Sequence, residues 1–78
     1  MKPDRQAQRL GPGTGRIKWF SAEKGYGFIS MDDGRECFVH KTQCTATFRE
    51  GDEIAFELYD GARGLHARKV IPLSEYAL

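Results

Sequence analysis

Aromatic and basic residues alternate with glycines between positions 18 and 41 of this chain. Flat rings stack on unpaired nucleobases, at about 1–3 kcal/mol for each base, and lysine ammonium groups attract phosphates. Such residues therefore fit a surface that binds an unpaired nucleic-acid strand, provided that the rings point outward from the fold. The rings belong to Trp19, Phe20, Tyr26, Phe28, Phe38 and His40, and the lysines are Lys18, Lys24 and Lys41.

The overall charge of the chain limits how an anionic partner could be held. Its 12 Lys and Arg residues nearly balance its 11 Asp and Glu residues, which leaves a net charge of +1. Proteins that hold duplex DNA by its phosphates carry a larger basic excess. A nucleic-acid partner would therefore have to be held mainly by stacking.

Length and composition predict one small domain. A chain of 78 residues buries only about 60% of its unfolded surface, so each exposed ring is lost to the core. No apolar run approaches the ~18 residues of a membrane span, and the first six residues lack the apolar stretch of a signal peptide. We therefore expect a cytoplasmic protein with no membrane partner, in which Cys37 and Cys44 are free thiols.

Alternating apolar residues and turn signals predict five short strands, over residues 16–20, 26–31, 36–40, 53–59 and 65–71. No segment has the length and period of a helix. Strands spaced in this way are typical of an all-β barrel or a small sandwich, and a five-stranded barrel hides most strand edges. Residues 1–13 are expected to form a loose tail, residues 14–72 the domain and residues 73–78 a second tail.

Strand alternation predicts which way the rings point. In the second predicted strand, Tyr26 and Phe28 share one face, while Ile29 lies on the other. In the third, Phe38 and His40 lie opposite a cysteine and a valine, residue types that are usually buried. If the aliphatic face is the inner one, the rings of both strands look outward. Adjacent residues such as Trp19 and Phe20 cannot share that face without a local bulge.

Two other interpretations of the rings stay open at this point. They could form the core, but the strands already offer a separate inward set: Ile17, Ile29, Val39, Ile54, Phe56, Leu58, Leu65 and Val70. They could also form a protein–protein or dimer contact, as large exposed apolar patches often do.

The stretch GRIKWFSAEKGYGFIS, followed by FVH, resembles the cold-shock domain of the bacterial cold-shock protein family, over residues 15–71. KGYGFI is similar to the first ribonucleoprotein motif of that family, and CFVHK to a weakened second one. The resemblance implies a five-stranded antiparallel β-barrel of the oligonucleotide/oligosaccharide-binding (OB) type. It also implies binding of single-stranded RNA or DNA, RNA-chaperone activity, and a role in transcription or translation. No Ser/His/Asp or Cys/His arrangement in the sequence supports an enzyme, and we expect no metal or cofactor.

The resemblance also implies roles for individual residues. Trp19, Tyr26, Phe28, Phe38 and His40 match the stacking surface, Phe20 a flanking contact, Lys18 and Lys24 the phosphate neighbours, and Arg63 a basic position of the last loop. Lys41 stands where the family usually has an aromatic residue, and the loop that follows is shorter and lacks another ring. Phe48 in that loop aligns with a core position. We therefore expect weaker binding per nucleotide and a shorter footprint than in a relative with every ring.

Other functional classes fit the sequence less well. An RNA-recognition motif would need two helices and an upstream second motif. A zinc site is disfavoured because Cys37 and His40, three apart in a strand, point to opposite faces. The glycine-rich stretch 11–15 lacks the Lys-Ser/Thr of a phosphate loop. A monomer is expected, with a strand-exchanged dimer as the alternative.

Overall fold

Five strands close into a barrel in the computed structural model of the protein, which describes residues 7–76. The strands are β1 (Gln8–Ser21), β2 (Tyr26–Met31), β3 (Glu36–His40), β4 (Glu53–Gly61) and β5 (Gly64–Pro72). A 3₁₀ helix, Lys41–Gln43, follows β3, and a four-residue helix α1, Leu73–Tyr76, follows β5. The predicted all-β class is confirmed, and each predicted strand lies within an observed one.

The strands are paired around the barrel in the order β1-β2-β3-β5-β4, and the long β1 contacts both β2 and β4. Four of these pairs are antiparallel. The β3–β5 pair is parallel, with Phe38 opposite His66 and Val39 opposite Ala67. The resemblance implies an antiparallel OB-type barrel, and β3–β5 is the exception within it, because the long connection through β4 brings β5 alongside β3 in the same direction. Closure pairs the strand edges that would otherwise be open to other chains.

The core fills the inside of the barrel with one alternate set of side chains from each strand. Its buried members are Ile17, Ile29, Met31, Cys37, Val39, Phe48, Ile54, Phe56, Leu58, Ala67 and Val70. The predicted inward set is confirmed except for Leu65, which is only partly buried against this cluster. Phe48 fills a core position from the loop before β4, as expected.

The first part of β1 corrects the prediction of a loose tail. That prediction is wrong for residues 8–13, which pair with β4, from Gln8 opposite Asp60 to Gly13 opposite Phe56. The stretch had no visible period of two because Gly11, with φ of +125°, lies at a register shift in the strand. At Gly13 a Cβ would lie 2.8 Å from the buried Phe56 ring, so a larger residue there would have to displace this core side chain. Residues 1–6 and 77–78 of the predicted tails lie outside the described residues.

A bulge in β5 places Lys69 in an unfavourable backbone conformation. Between the pairs Ala55–Ile71 and Glu57–Arg68, β5 contains one residue more than β4. Lys69 takes up this extra residue with φ of +55°, and it is the one non-glycine residue with positive φ in the described part of the chain. This left-handed conformation costs a residue with a Cβ about 1–2 kcal/mol.

We expect Lys69→Gly to raise the free energy of unfolding by about 0.5–1 kcal/mol, because glycine adopts positive φ without the Cβ penalty but loses more backbone entropy on folding. The Lys69 side chain is 76% exposed and lies 4.0 Å from Glu57, so loss of this ion pair should matter little. Urea unfolding of Lys69→Gly and Lys69→Ala measures the difference. Equal stability of the two variants would contradict the backbone explanation.

Candidate nucleic-acid interface

Four aromatic side chains touch one another on the outer surface of β1, β2 and β3. The ring of Trp19 contacts those of Tyr26 and Phe28, at centroid distances of 5.7 and 5.5 Å. Phe38 contacts the same two rings, at 5.7 and 5.8 Å. The contacts form a closed circuit, here called the four-ring cluster, in which Trp19 is 38% and Phe38 36% exposed. The rings therefore hold one another in place while offering surface to solvent.

The pairing of β2 with β3 explains why these rings lie together. Tyr26 is opposite His40 and Phe28 is opposite Phe38, so two cross-strand pairs lie side by side on the outer face. The intervening Cys37 and Val39 are inside, at 1% and 0% exposure. The outward orientation predicted from strand alternation is thereby confirmed for both strands.

A bulge in β1 decides the positions of the adjacent Trp19 and Phe20. Ile17 pairs with Ile29 and Trp19 with Phe28, so Lys18 is an extra residue on β1. The extra residue reverses the alternation, which lets Ile17 point inward and Trp19 outward although they are two apart. The bulge does not bring both aromatic residues to the outer face: Phe20 is half-buried and packs against the core.

The glycines among the rings are required by close packing. A Cβ on Gly27 would overlap the carbonyl oxygen of Trp19 and lie 2.8 Å from the Cα of Phe20, so β1 can approach β2 only where no side chain intervenes. Gly25 has φ of +82°, and the aliphatic chain of Lys41 would lie 3.2 Å from a Cβ placed there. These two glycines explain the alternation of rings and glycines in KGYGFI.

His40 and Lys41 form the end of the cluster beside Tyr26. The Nδ1 atom of His40 accepts a hydrogen bond from the backbone N–H of Thr42, at 3.2 Å, and so caps the 3₁₀ helix. Because Nδ1 is an acceptor, the neutral ring carries its proton on Nε2, which can donate outward. The backbone N–H of Lys41 donates to the carbonyl oxygen of Gly25 at 2.9 Å. Lys41 therefore covers the turn before β2 rather than adding a ring.

The predicted basic residues surround the cluster in different settings. Lys18 forms an ion pair with Glu36, at 2.6 Å between Nζ and Oε2, and both side chains are 49% exposed. Lys24 is exposed in the turn between β1 and β2. Arg63 is exposed in the tight turn between β4 and β5, and it lines a groove of about 750 Å³ together with Phe28 and Phe38. The cations are thus available around the rings, although Lys18 already has a carboxylate partner.

Residues 13–73 of the chain match the family model described as the 'Cold-shock' DNA-binding domain. The chain belongs to the cold-shock domain family. This cold-shock domain is 44% identical over 64 residues to Cold shock-like protein CspE of Bacillus anthracis, an alignment that covers 77% of this chain and 96% of that protein. It is 44% identical over 63 residues to Cold shock protein CspB of Bacillus caldolyticus, covering 76% and 96% of the two chains. Membership of this family supports nucleic-acid binding.

Three residues of this cold-shock domain form a second cluster that the sequence interpretation missed. The rings of Tyr59 and His66 are stacked, 5.7 Å apart and inclined by 20°, and the Arg68 guanidinium lies 4.0 Å from the centre of the Tyr59 ring. We call these residues the β4–β5 trio. Alternation with the buried Leu58 and Ala67 could have placed each of them on the outer face. Their contact depends on the register of β4 and β5, which the sequence pattern did not provide.

The described residues offer neither a metal-binding group nor a membrane span. Across residues 7–76, no three His, Cys, Asp or Glu side chains form a group that could hold a metal ion. Cys37 points into the core and His40 points outward, as the alternation predicted. No helix within this part of the chain is long and apolar enough to cross a membrane.

Burial makes Cys37 a probe of the inner face of β3. It raises the pKa of the Cys37 thiol to about 12, and it also raises the pKa of Cys44, which is less buried. Because the thiolate is the reactive form, Cys37 should be nearly inert at pH 8 in the folded protein. An unfolded cysteine thiol has a pKa of ~8.5. Because the folded state holds the Cys37 proton more tightly, this group stabilises the fold fully at pH values below ~8.5, and its contribution is lost as the pH rises towards 12.

We expect iodoacetamide at pH 8 to leave Cys37 unmodified in a folded Cys44→Ser variant and to modify it fully in urea. Mass spectrometry measures the extent. The matched Cys37→Ala variant, which keeps the half-buried Cys44, should react faster when folded. Equal rates for Cys37 in the folded and unfolded states would mean that β3 turns its other face inward.

Proposed function

We propose that this cold-shock domain binds single-stranded RNA or DNA by stacking successive bases on the four-ring cluster and His40. The observation that carries this proposal is the closed circuit of partly exposed rings on β1, β2 and β3. A small domain gains stability by burying such rings, and here a separate set of side chains, which includes Phe48 and Phe56, fills the interior instead. The rings are therefore available to a ligand with flat apolar faces.

Stacking provides most of the binding free energy in this proposal. Each base stacked on a ring contributes about 1–3 kcal/mol and requires no particular base. The net charge of +1 and the Lys18–Glu36 ion pair leave only a modest attraction for phosphates. The protein therefore binds with little sequence preference and with a shallower salt dependence than a strongly basic protein.

The proposed binding mode leads to RNA-chaperone activity. Bases can stack on the cluster only when they are unpaired, so the protein binds the open form of a weak hairpin and not its duplex. Binding to one of two states shifts the equilibrium towards that state by mass action, without a nucleoside triphosphate. We propose that the domain acts in this way as a monomer and catalyses no reaction, and its cytoplasmic location stays a prediction.

Fluorescence of Trp19 tests this function directly, because Trp19 is the only tryptophan of the chain and belongs to the cluster. Oligothymidine should quench its emission, with a weak dependence of affinity on salt concentration. A lack of quenching and of binding with all oligonucleotides would reject the proposal. It would favour instead a protein partner or a dimer contact at the same rings.

We expect Phe28→Ala to weaken oligothymidine binding by about 1–3 kcal/mol, because it removes one stacking surface from the middle of the cluster. Fluorescence titration measures the dissociation constant. Tyr76→Ala is a suitable control, since Tyr76 is 51% exposed but lies in α1, outside the cluster. Wild-type affinity of a folded Phe28→Ala variant would place the binding site elsewhere.

The ion pair between Lys18 and Glu36 should limit phosphate binding. In Glu36→Gln, Lys18 loses its anionic partner and a repelling charge disappears, so we expect up to about fivefold tighter binding. The slope of log affinity against log salt should steepen by about 0.7, the value for one additional phosphate contact on a single strand. Glu53→Gln is the control, because Glu53 is a similar carboxylate that lies away from the rings and pairs with Arg16 at an N···O distance of 2.7 Å. It should change neither the affinity nor the salt slope. Identical salt slopes for Glu36→Gln and the wild type would exclude Lys18 as a phosphate contact.

A further inference from the structure

We propose that the β4–β5 trio is a second stacking site, which takes an additional base of the strand bound at the four-ring cluster. This inference rests on the proposed function and adds a path for the bound nucleic acid over the surface of the barrel. From Phe38 on β3, the bound nucleic acid would cross the parallel β3–β5 pair to His66, Tyr59 and Arg68.

His66 lies beside the four-ring cluster, across the parallel β3–β5 pair. In the parallel pair, Phe38 lies opposite His66 and Val39 lies opposite Ala67. Val39 and Ala67 are inside the barrel, at 0% and 1% exposure. Phe38 and His66 therefore project from the same outer surface on neighbouring strands, where both line one groove.

The trio presents two rings and a guanidinium group. Tyr59 and His66 are cross-strand partners whose stacked rings are nearly parallel. Arg68 lies over the Tyr59 ring and donates from Nε to Nε2 of His66, at 3.3 Å. Histidine and tyrosine rings and arginine guanidinium planes are all surfaces on which unpaired bases stack. The hydrogen bond makes Nε2 of His66 an acceptor, so the neutral ring keeps a proton on Nδ1.

The surface between the two clusters is recessed. The groove of about 750 Å³ lies between β3 and the β4–β5 hairpin, and both Phe38 and His66 line it. Its volume falls within the ~300–1,000 Å³ typical of small-ligand sites. Arg63 and Arg68 also line it, whereas Glu36 is the only carboxylate among its described lining residues. The groove therefore offers rings to a base and arginine side chains to its phosphate between the four-ring cluster and the trio.

The trio is not needed to fill the core. On β4, the buried Phe56 and Leu58 face the interior, and Tyr59 lies on the opposite side of the strand, half-buried beneath Arg68. A Cβ on Gly61 would lie 3.1 Å from Cε1 of His66, so the absence of a side chain there leaves room for the imidazole. The expectation of a shorter footprint, which rests on Lys41 and on the shortened loop after it, changes under this proposal: contact missing beside His40 is regained across β5.

Binding of oligothymidines that increase by one nucleotide at a time separates the two sites. Trp19 quenching should give a dissociation constant for short strands that depends on the four-ring cluster and His40 but not on the trio. Oligothymidines long enough to reach the trio should bind more tightly than short ones. Tyr59→Val should remove this additional affinity and so lower the affinity for long strands at least about fivefold. Short strands should bind Tyr59→Val and the wild type equally.

Matched variants separate loss of stacking from loss of charge or of stability. Tyr59→Phe keeps the ring and should bind like the wild type. Arg68→Ala should weaken only the binding of long strands. Arg49→Ala removes the same charge from an exposed loop residue outside the groove, and should have no length-dependent effect. If Tyr59→Val does not fold, NMR titration of the wild-type protein takes its place. The His66 ring signals should then shift when long oligothymidines are added but not when short ones are.

The outcomes distinguish this inference from the function on which it rests. The trio is not a binding site if Tyr59→Val and Arg68→Ala bind oligonucleotides of every length like the wild type, or if the His66 signals do not respond to long strands. The proposed function still stands in that case, provided that Phe28→Ala weakens binding at every length. If the wild-type protein binds no oligonucleotide of any length, the proposed function and this inference are both rejected.

Discussion

The register between β2 and β3 is the constraint on which the site and the core both depend. It places Phe28 opposite Phe38 outside and Ile29 opposite Cys37 inside. A slip of one residue would turn rings into the barrel and aliphatic side chains out to solvent, because side chains alternate along a strand. Burial of the aliphatic set prevents that slip. The residues that stabilise the fold therefore also orient the rings, although they contact no ligand in the proposed binding mode.

Most of this arrangement could be predicted from the sequence, because alternation is a local property. The bounds of β2 and β3 and the outward direction of their rings follow from short stretches in which rings alternate with residue types that are usually buried. The remaining features depend on pairing between distant segments. The bulge at Lys18, the strand over residues 8–13 and the parallel β3–β5 pair are set by the need to close the barrel. The β4–β5 trio was missed for the same reason, since each member is unremarkable until the register brings the three together.

Electrostatics has a secondary role at this surface. Lys18 is paired with Glu36, and the aliphatic chain of Lys41 lies over Gly25, so two of the lysines beside the rings also serve the structure of the barrel. Ion pairs this exposed contribute little to stability. Their larger effect is to reduce the positive potential near the rings, which is consistent with a surface that depends on stacking.

The parallel β3–β5 pair also has a consequence for the order in which the surface forms during folding. The four-ring cluster joins three strands that follow one another in the chain, so short loops suffice to assemble it. The groove needs Phe38 and His66, which lie far apart in the chain and can meet only after the chain has passed through β4. Contacts between distant positions carry a larger loop-closure cost and form more slowly. A folding intermediate in which β5 is still detached would thus have its rings assembled but no groove beside them.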